Sequence, residues 1–147
     1  MVESDNKDLS KYLEEMEDWY RAVIFDSDGT EIAKKNVDKV DSKELKDFLT
    51  AMDDRDTTIG KGFVFNTKHF DVHRFHVPLV YGRRGGPEGG PEDCEGICLA
   101  RIKSNDKKFY LLITYVYPIV SARAISIIPD FLKASSCKFF YISWSFR

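Results

Sequence analysis

The sequence predicts an α+β domain in which a central antiparallel β-sheet is flanked by helices. Three observations lead to this class. Stretches rich in β-branched and aromatic residues follow one another through the second half of the chain. Segments with apolar residues at helical spacing lie near both ends and once between the first strands and the later ones. Helical segments do not alternate regularly with the strands, as a parallel sheet would require.

The composition predicts one folded domain. The chain has 147 residues, of which 43% are hydrophobic and 14% aromatic. Lys and Arg number 22 against 24 Asp and Glu, so a basic nucleic-acid binder is excluded and no nucleic-acid partner is expected. The first eight residues are polar and acidic, unlike a targeting signal, and are predicted to be a disordered extension. No apolar run approaches the roughly 20 residues of a membrane span, so we expect a soluble, cytoplasmic protein.

The first half of the chain contains two helical patterns and one hairpin. A short amphipathic helix is predicted from apolar residues at the i, i+3, i+4 and i+7 positions, namely Leu9, Tyr12, Leu13 and Met16. The stretches "YRAVIFD" and "TEIAKK" read as two strands, and Asp28-Gly29 supplies the positive φ that a tight turn needs. A second helix is predicted in "DSKELKDFLTAMDD", where Asp41 or Ser42 is the cap and Glu44 completes a capping box with Asp41.

The second half is dominated by strand patterns. Strands are predicted in "GKGFVFN", "HFDVHRF", "GICLARIK" and "KFYLLITYVY". Residues 84–94, with tandem Gly-Gly-Pro-Glu, are predicted to be a long loop. A C-terminal helix follows Pro118, and Pro129 within it predicts either a kink or the start of a new turn. The aromatic segment 139–147, "FFYISWSFR", is predicted to be an edge strand or a sticky tail.

The cysteines do not indicate a metal site. Cys94, Cys98 and Cys137 cannot all pair with one another, and no second cysteine pair or histidine cluster completes a zinc set. Cys98 lies in an apolar strand, where a small buried side chain is the expected role. We therefore predict no metal and no cofactor.

The stretch "AVIFDSDGTE" resembles the opening motif of haloacid dehalogenase phosphatases, in which the positions of Asp26 and Asp28 carry the catalytic carboxylates. Such an enzyme needs a parallel sheet and a later acidic pair that holds Mg²⁺. The available pair, Asp53 and Asp54, precedes the first candidate lysine, Lys61, so the order is wrong. The motif is therefore interpreted as a hairpin corner, and no catalytic residues are assigned.

The stretch "GKGFVFNTKHFDVHRF" is followed along the chain by "VYGRR", "EGICLARIK" and "FYLLITYVYP". These stretches resemble the profilin family, the small proteins that bind actin monomers, and Phe70 and Arg74 match a Phe and an Arg of that family. The resemblance runs from about Leu9 to Lys138 and is strongest in the last three stretches. It implies a sheet with the terminal helices on one face and a further helix on the other. The long Gly/Pro loop and the extensions at both ends suggest a divergent member, and the profilins of Asgard archaea are such a group.

The resemblance implies an actin-binding surface on the middle strands and the start of the last helix, and hence a monomeric, non-enzymatic regulator of actin polymerisation associated with the cytoskeleton. Arg and Lys suit contacts with carboxylates on a partner, although each of these residues also fits an ordinary solvated charge. The implied surface comprises Lys68, His69, Val72, Arg74, Arg83, Arg101, Lys103, Ala122 and Arg123.

Two further family properties are implied. An aromatic groove for proline-rich peptides would involve Leu9, Tyr12, Trp19 and Phe131. Leu9 stands where profilins have tryptophan, and Trp19 is not at a family position, so this site is expected to be weak or rearranged. Tyr12 and Phe131 equally fit simple packing of the helix pair. A phosphoinositide patch would consist of Arg83, Arg84, Arg101 and Lys103.

A second class of function stays open at this point. Roadblock and longin domains have a similar layout of helices and strands and act as dimeric scaffolds. Since these modules dimerise, a monomer in sedimentation would favour the actin-binding function over the scaffold.

Overall fold

The computed structural model describes residues 9–85, 93–104 and 107–136. They form a seven-stranded sheet in the order β2-β1-β7-β6-β5-β4-β3, and every neighbouring pair is antiparallel. The strands are β1 Arg21–Asp26, β2 Glu31–Lys35, β3 Phe63–Phe65, β4 Lys68–His76, β5 Leu79–Arg84, β6 Glu95–Ser104 and β7 Lys107–Tyr115. The predicted α+β class is confirmed. The predicted N-terminal extension, most of the Gly/Pro loop and the aromatic tail lie outside the described residues.

Among the residues that the structure describes, five helices pack on the two faces of this sheet. They are α1, residues 9–14, α2 Ser42–Phe48, α3 Arg55–Lys61, α4 Ser121–Ser126 and α5 Ile128–Ser136. One apolar core joins α1, α4 and α5 to one face through residues such as Leu13, Ile24, Cys98, Ile113 and Phe131. A second core joins α2 and α3 to the opposite face through residues such as Val23, Phe48, Phe70, Leu99 and Leu112. We call these the α1/α4/α5 face and the α2/α3 face.

The β1–β2 hairpin confirms the interpretation of the Asp-x-Asp-Gly motif. The Asp26 carboxylate oxygen Oδ1 accepts hydrogen bonds from the backbone N–H of Asp28 at 2.9 Å and of Thr30 at 3.0 Å. Gly29 has φ of 81°, as the turn requires. The Asp26 carboxylate thus closes the turn, and β1 lies in a wholly antiparallel sheet. The described residues therefore do not have the parallel sheet of the phosphatase layout.

Helix α3 was not predicted. The sequence pattern indicated a strand starting near Gly60, whereas residues 55–61 are helical. The Asp54 carboxylate caps this helix by accepting from the backbone N–H of Asp56 and from the hydroxyl of Thr57. The helix has seven residues and one partly buried apolar side chain, Ile59, on the core. An apolar repeat at helical spacing therefore could not form, and the cap was the one available signal.

One other boundary differs from prediction, and one alternative that the sequence left open is decided. Arg84, assigned to the Gly/Pro loop, is the last residue of β5 and pairs with Glu95 in β6. The single C-terminal helix is two helices, because Ile127 ends α4 and Pro129 stands in the first turn of α5. Proline is tolerated there since the first N–H groups of a helix have no intrahelical acceptor. Of the two alternatives predicted at Pro129, a kink or the start of a new turn, the structure shows the new turn.

The predicted capping box is correct for Asp41 and wrong for Glu44. Asp41 does cap α2, accepting from the N–H of Lys43 at 2.9 Å. Glu44, however, turns away and accepts from the backbone N–H groups of Asn66 and Thr67, at 2.8 and 2.9 Å. Asn66 and Thr67 have φ of 53° and 66°, a strained region for a β-branched residue. Glu44 therefore stabilises the tight β3–β4 turn.

We expect Glu44→Ala to lower the free energy of unfolding by about 1 to 3 kcal/mol, because two backbone N–H groups lose their acceptor. Urea unfolding measures this loss. Glu44→Gln keeps one acceptor oxygen and is the matched control, with a smaller expected loss. An unchanged urea midpoint in Glu44→Ala would contradict the role of this side chain.

Within the described residues, no helix has the length and apolar character needed to cross a membrane.

Candidate partner-binding surface

A cleft of about 330 Å³ lies where β4 and β5 approach the start of α4. It is lined by His73, Arg74, Tyr81, Gly82, Arg83, Tyr115 and Ser121. A second cleft of about 310 Å³ shares Tyr81 and Ser121 and continues to Ala122. We call the two together the cleft surface. It brings together three residues of the predicted actin-binding set, Arg74, Arg83 and Ala122.

A β-bulge in β4 decides that Arg74 belongs to this surface. Val72 pairs with Gly82 in β5, and Arg74 pairs with the next residue, Tyr81, so His73 is the extra residue. Val72 belongs to the core on the α2/α3 face, and strict alternation would place Arg74 on that face too. The extra residue moves Arg74 to the face of Tyr81, whose ring packs on the opposite core.

Two glycines allow the close approaches around the cleft. A Cβ atom at Gly82 would lie 1.8 Å from the backbone oxygen of Asp71, so β4 can approach β5 at the bulge only because this side chain is absent. A Cβ atom at Gly96 would lie 2.1 Å from the ring of Tyr115. Gly96 therefore leaves the space in which the Tyr115 ring lies, and Tyr115 lines the cleft together with Ser121 at the start of α4.

The cleft surface is basic. Arg74 and Arg83 are both exposed. Arg83 donates a hydrogen bond to the sulfur of Cys94 at 2.9 Å. Neither arginine forms an ion pair with any carboxylate in the described part of the chain. Both guanidinium groups are thus able to bind an acidic group of a partner.

Exposed apolar side chains lie next to the cleft surface, in the segment between β7 and α4. Tyr117 is 84% exposed and Val120 is 60% exposed. Large exposed apolar side chains beside charged ones are typical of protein interfaces. The sequence pattern did not single out either residue, although both lie within two residues of Pro118 in "VYPIV", a segment that cannot continue the strand.

Other members of the predicted set lie elsewhere. Val72 is 3% exposed and belongs to the core. Arg101 pairs with Tyr110 of that core, so Arg101 and Lys103 are on the α2/α3 face, opposite the cleft. Arg123 is in an ion pair with Asp18, at 2.8 Å. The predicted cluster of cations is therefore divided between the two faces of the sheet.

Two further members lie near the outer edge of the sheet, at the start of β4. Lys68 pairs with Phe65 of the edge strand β3, and His69 pairs with Val64. The Nε2 atom of His69 is 2.9 Å from the carbonyl oxygen of Lys61 at the end of α3. Neither residue lines the cleft.

The four cations predicted to bind phosphoinositides also do not form one patch. Arg83 lines the cleft, whereas the guanidinium of Arg84 faces the other way and binds the carboxylate of Glu95 at 3.1 Å. Arg83 pairs with Gly96, and Arg101 stands five residues further along β6, a distance of about 16 Å at the rise of a strand.

The residues predicted to bind proline-rich peptides do lie together, but three of the four are buried. Leu9 and Trp19 are 1% exposed and Phe131 is 2% exposed. The Trp19 indole N–H donates to the carbonyl of Ala124 at 2.9 Å, and its ring meets the Phe131 ring edge-on at 5.2 Å. Tyr12 is partly exposed. Tyr12 is thus the member of this set that can present its ring to a ligand without rearrangement.

Burial raises the pKa of Tyr115, Tyr110 and the Cys98 thiol above their ordinary values. The folded protein therefore holds these protons more tightly than the unfolded chain. The resulting stabilisation is complete below the ordinary pKa values of 9.0 for Cys98 and 10.0 for the tyrosines, and it is lost as the pH rises above them.

We accordingly expect the free energy of unfolding to fall above about pH 9. The expected slope is about 1.4 kcal/mol per pH unit for Cys98, and the same again for Tyr115, once the pH exceeds the ordinary pKa of that group. Urea unfolding between about pH 8 and pH 11 measures this dependence. Tyr115→Phe should make the free energy of unfolding fall less steeply with pH in the alkaline range, because the contribution of Tyr115 is removed. A slope that is the same in this variant would show that Tyr115 does not contribute.

The described residues contain no group of three or more His, Cys, Asp or Glu side chains placed to hold a metal ion.

Comparisons with known proteins find similarity at the level of structure. No family model matches the sequence, and no curated protein sequence matches it. Acanthamoeba castellanii profilin IA superposes with a TM-score of 0.69 at 18% identity, covering 92% of this chain and 98% of that one. Rat profilin 2a gives 0.64 at 10% identity, covering 95% and 99%. Mouse profilin IIa, solved in complex with a double repeat from the FH1 domain of mDia1, gives 0.63 at 10% identity, covering 90% and 98%.

Proposed function

The chain has the profilin fold, and from this premise we propose that it binds monomeric actin through the cleft surface and thereby regulates actin polymerisation. The observation that carries the proposal is the cleft surface itself. Arg74 and Arg83 stand exposed on one face of that fold, beside the apolar side chains of Tyr117 and Val120. A protein with this function acts in the cytoplasm and associates with the cytoskeleton.

The chemistry of the surface suits a protein partner. Exposed guanidinium groups make charge-assisted, bidentate hydrogen bonds with carboxylates, and these contacts set orientation. Aromatic residues near the centre of an interface supply much of its binding free energy, and Tyr117, at 84% exposure, offers most of its ring. The cleft lined by Arg74 and Arg83 is large enough to admit a side chain of the partner, and Tyr81 forms part of its wall.

Pyrene-actin polymerisation tests the proposal. Excess protein is expected to lengthen the lag of spontaneous assembly, since a monomer whose face is covered cannot form a nucleus. The assay is run with conventional and archaeal actin. An unchanged lag with both actins would refute the proposal.

Proline-rich peptide binding is a second candidate function, favoured by the mouse profilin complex with an FH1 repeat. We propose a weak site centred on Tyr12, because the ring of a tyrosine is a suitable surface for a polyproline II segment. In a chemical-shift titration with a proline-rich peptide, Tyr12 should respond. If neither Tyr12 nor Phe131, a buried residue of the core on which Tyr12 packs, responds, the site is absent.

Two measurements address the competing functions. A dimeric scaffold predicts a dimer in analytical ultracentrifugation, whereas the actin-binding function predicts a monomer.

Phosphoinositide binding remains a prediction. Because Arg83 is separated from Arg101 and Lys103, fewer positive charges can contact one lipid headgroup. Cosedimentation with vesicles containing phosphoinositides would detect it.

A further inference from the structure

Three polar side-chain atoms on the α2/α3 face are buried without a hydrogen-bond partner. Across the described residues they are Nε of Arg21, Oε2 of Glu95 and Oγ1 of Thr114. Glu95 is 1% exposed and Thr114 is 0% exposed. Buried polar atoms in folded proteins nearly always have a partner, because leaving a donor or acceptor desolvated and unpaired costs about 1 to 3 kcal/mol. Three such atoms in one place therefore require an explanation.

The sheet brings these three atoms together. Thr114 lies in β7, between β1, which carries Arg21, and β6, which carries Glu95. Arg21 is the direct cross-strand partner of Thr114, and Glu95 precedes by two residues the β6 partner of Thr114. The Arg21 side chain therefore reaches across β7 towards Glu95. Its Nε atom stops 3.7 Å from Oε2 of Glu95, which is too long for a direct hydrogen bond.

The second carboxylate oxygen of Glu95 is already occupied. Oε1 accepts from Nε of Arg84 at 3.2 Å and from Nη2 of Arg84 at 3.1 Å. Arg84 therefore holds the carboxylate in place from the β5 side, and Oε2 is the oxygen that faces Arg21. A donor, an acceptor and a hydroxyl thus surround one point over β7.

We propose that this point binds one internal water molecule. The water accepts from the Nε–H of Arg21 and donates to Oε2 of Glu95 and to Oγ1 of Thr114. Three hydrogen bonds are typical of a buried water in a protein. A donor and an anionic acceptor lie side by side, so the ligand must both accept and donate hydrogen bonds. A chloride ion could accept from the Arg21 donor but could not donate to the Glu95 oxygen. A metal cation could bind the Glu95 oxygen but could not accept from Arg21.

The site lies directly behind the cleft surface. Arg83, Gly96 and Tyr115 are each adjacent in sequence to a member of the network, Arg84, Glu95 and Thr114, and successive residues of a strand point to opposite faces. The bridged network thus joins β1, β7, β6 and β5 at the end of the sheet that carries the cleft.

A crystal structure of the full chain at about 1.5 Å or better tests the proposal, since waters with three partners are well ordered. We expect one density peak within hydrogen-bond distance of all three atoms. Thr114→Val, which has the same shape without the hydroxyl, should lose or weaken that peak, and Thr114→Ser should keep it. Oxygen-17 relaxation dispersion in solution should show one fewer long-lived water in Thr114→Val than in Thr114→Ser.

Three outcomes would overturn the inference. One is a direct hydrogen bond between Arg21 and Glu95 with no peak between them. Another is a peak with an anomalous signal, which would identify an ion. The third is an equal number of long-lived waters in the valine and serine variants.

Discussion

The double charge reversal Arg74→Glu/Arg83→Glu is expected to weaken binding of monomeric actin by about 100-fold or more, because removal of one partner from a buried charge pair costs about 2 to 5 kcal/mol. Reversal adds repulsion to that loss. Arg74 is exposed, so its change should alter the free energy of unfolding by less than about 0.5 kcal/mol. Arg83→Glu also removes the hydrogen bond to the sulfur of Cys94, and we expect it to cost about 0.5 to 1.5 kcal/mol. Titration with fluorescently labelled actin measures the affinity, and urea unfolding checks the fold.

Two single variants make this experiment specific. Lys39→Glu makes the same charge reversal at an exposed site that follows β2, the edge strand on the opposite side of the sheet from β4 and β5. This variant should bind actin with an affinity within about threefold of the unmodified chain. Arg101→Glu lies on the α2/α3 face and should also have little effect, although the sequence placed Arg101 with Arg74. If Arg101→Glu weakened binding as much as the double variant, the assignment to the cleft surface would be wrong.

Trp19→Ala is expected to lower the free energy of unfolding by about 3 to 5 kcal/mol, the usual cost of truncating a large buried aromatic residue. Trp19 joins the segment after α1 to both C-terminal helices, through its hydrogen bond to Ala124 and its ring contact with Phe131. Its removal opens a cavity on the α1/α4/α5 face. Urea or thermal unfolding measures the loss.

Trp19→Phe separates the two contributions of this residue. The variant keeps an aromatic ring beside Phe131 but leaves the Ala124 carbonyl without the indole donor, so we expect an intermediate loss of about 1 to 3 kcal/mol. Tyr117→Ala is the control, since at 84% exposure its truncation should change stability by less than about 0.5 kcal/mol. If Trp19→Ala were as stable as Tyr117→Ala, Trp19 would not be the structural residue that its burial indicates.

The parts of the fold that sequence reasoning predicted correctly depend on local chemistry. Asp28-Gly29 favours the hairpin turn in any context, and the apolar spacing of Leu45 and Phe48 places one side of a helix on the core. Helix α3 was missed because its seven residues carry no apolar repeat. Glu44 was assigned to its own helix cap because its hydrogen-bond partners, Asn66 and Thr67, lie more than twenty residues away along the chain.

Local sequence patterns were sufficient to predict the α+β class, the order of most elements and the candidate arginines, because propensity, apolar period and turn residues act over a few neighbouring positions. Which of those residues share a surface depends on the tertiary structure. The single extra residue at His73 puts Arg74 on the face of Arg83, while the register of β6 and β7 puts Arg101 on the opposite face. Side chains alternate with a period of two, so a shift of one residue reverses the face, and that shift is set by pairing between distant strands.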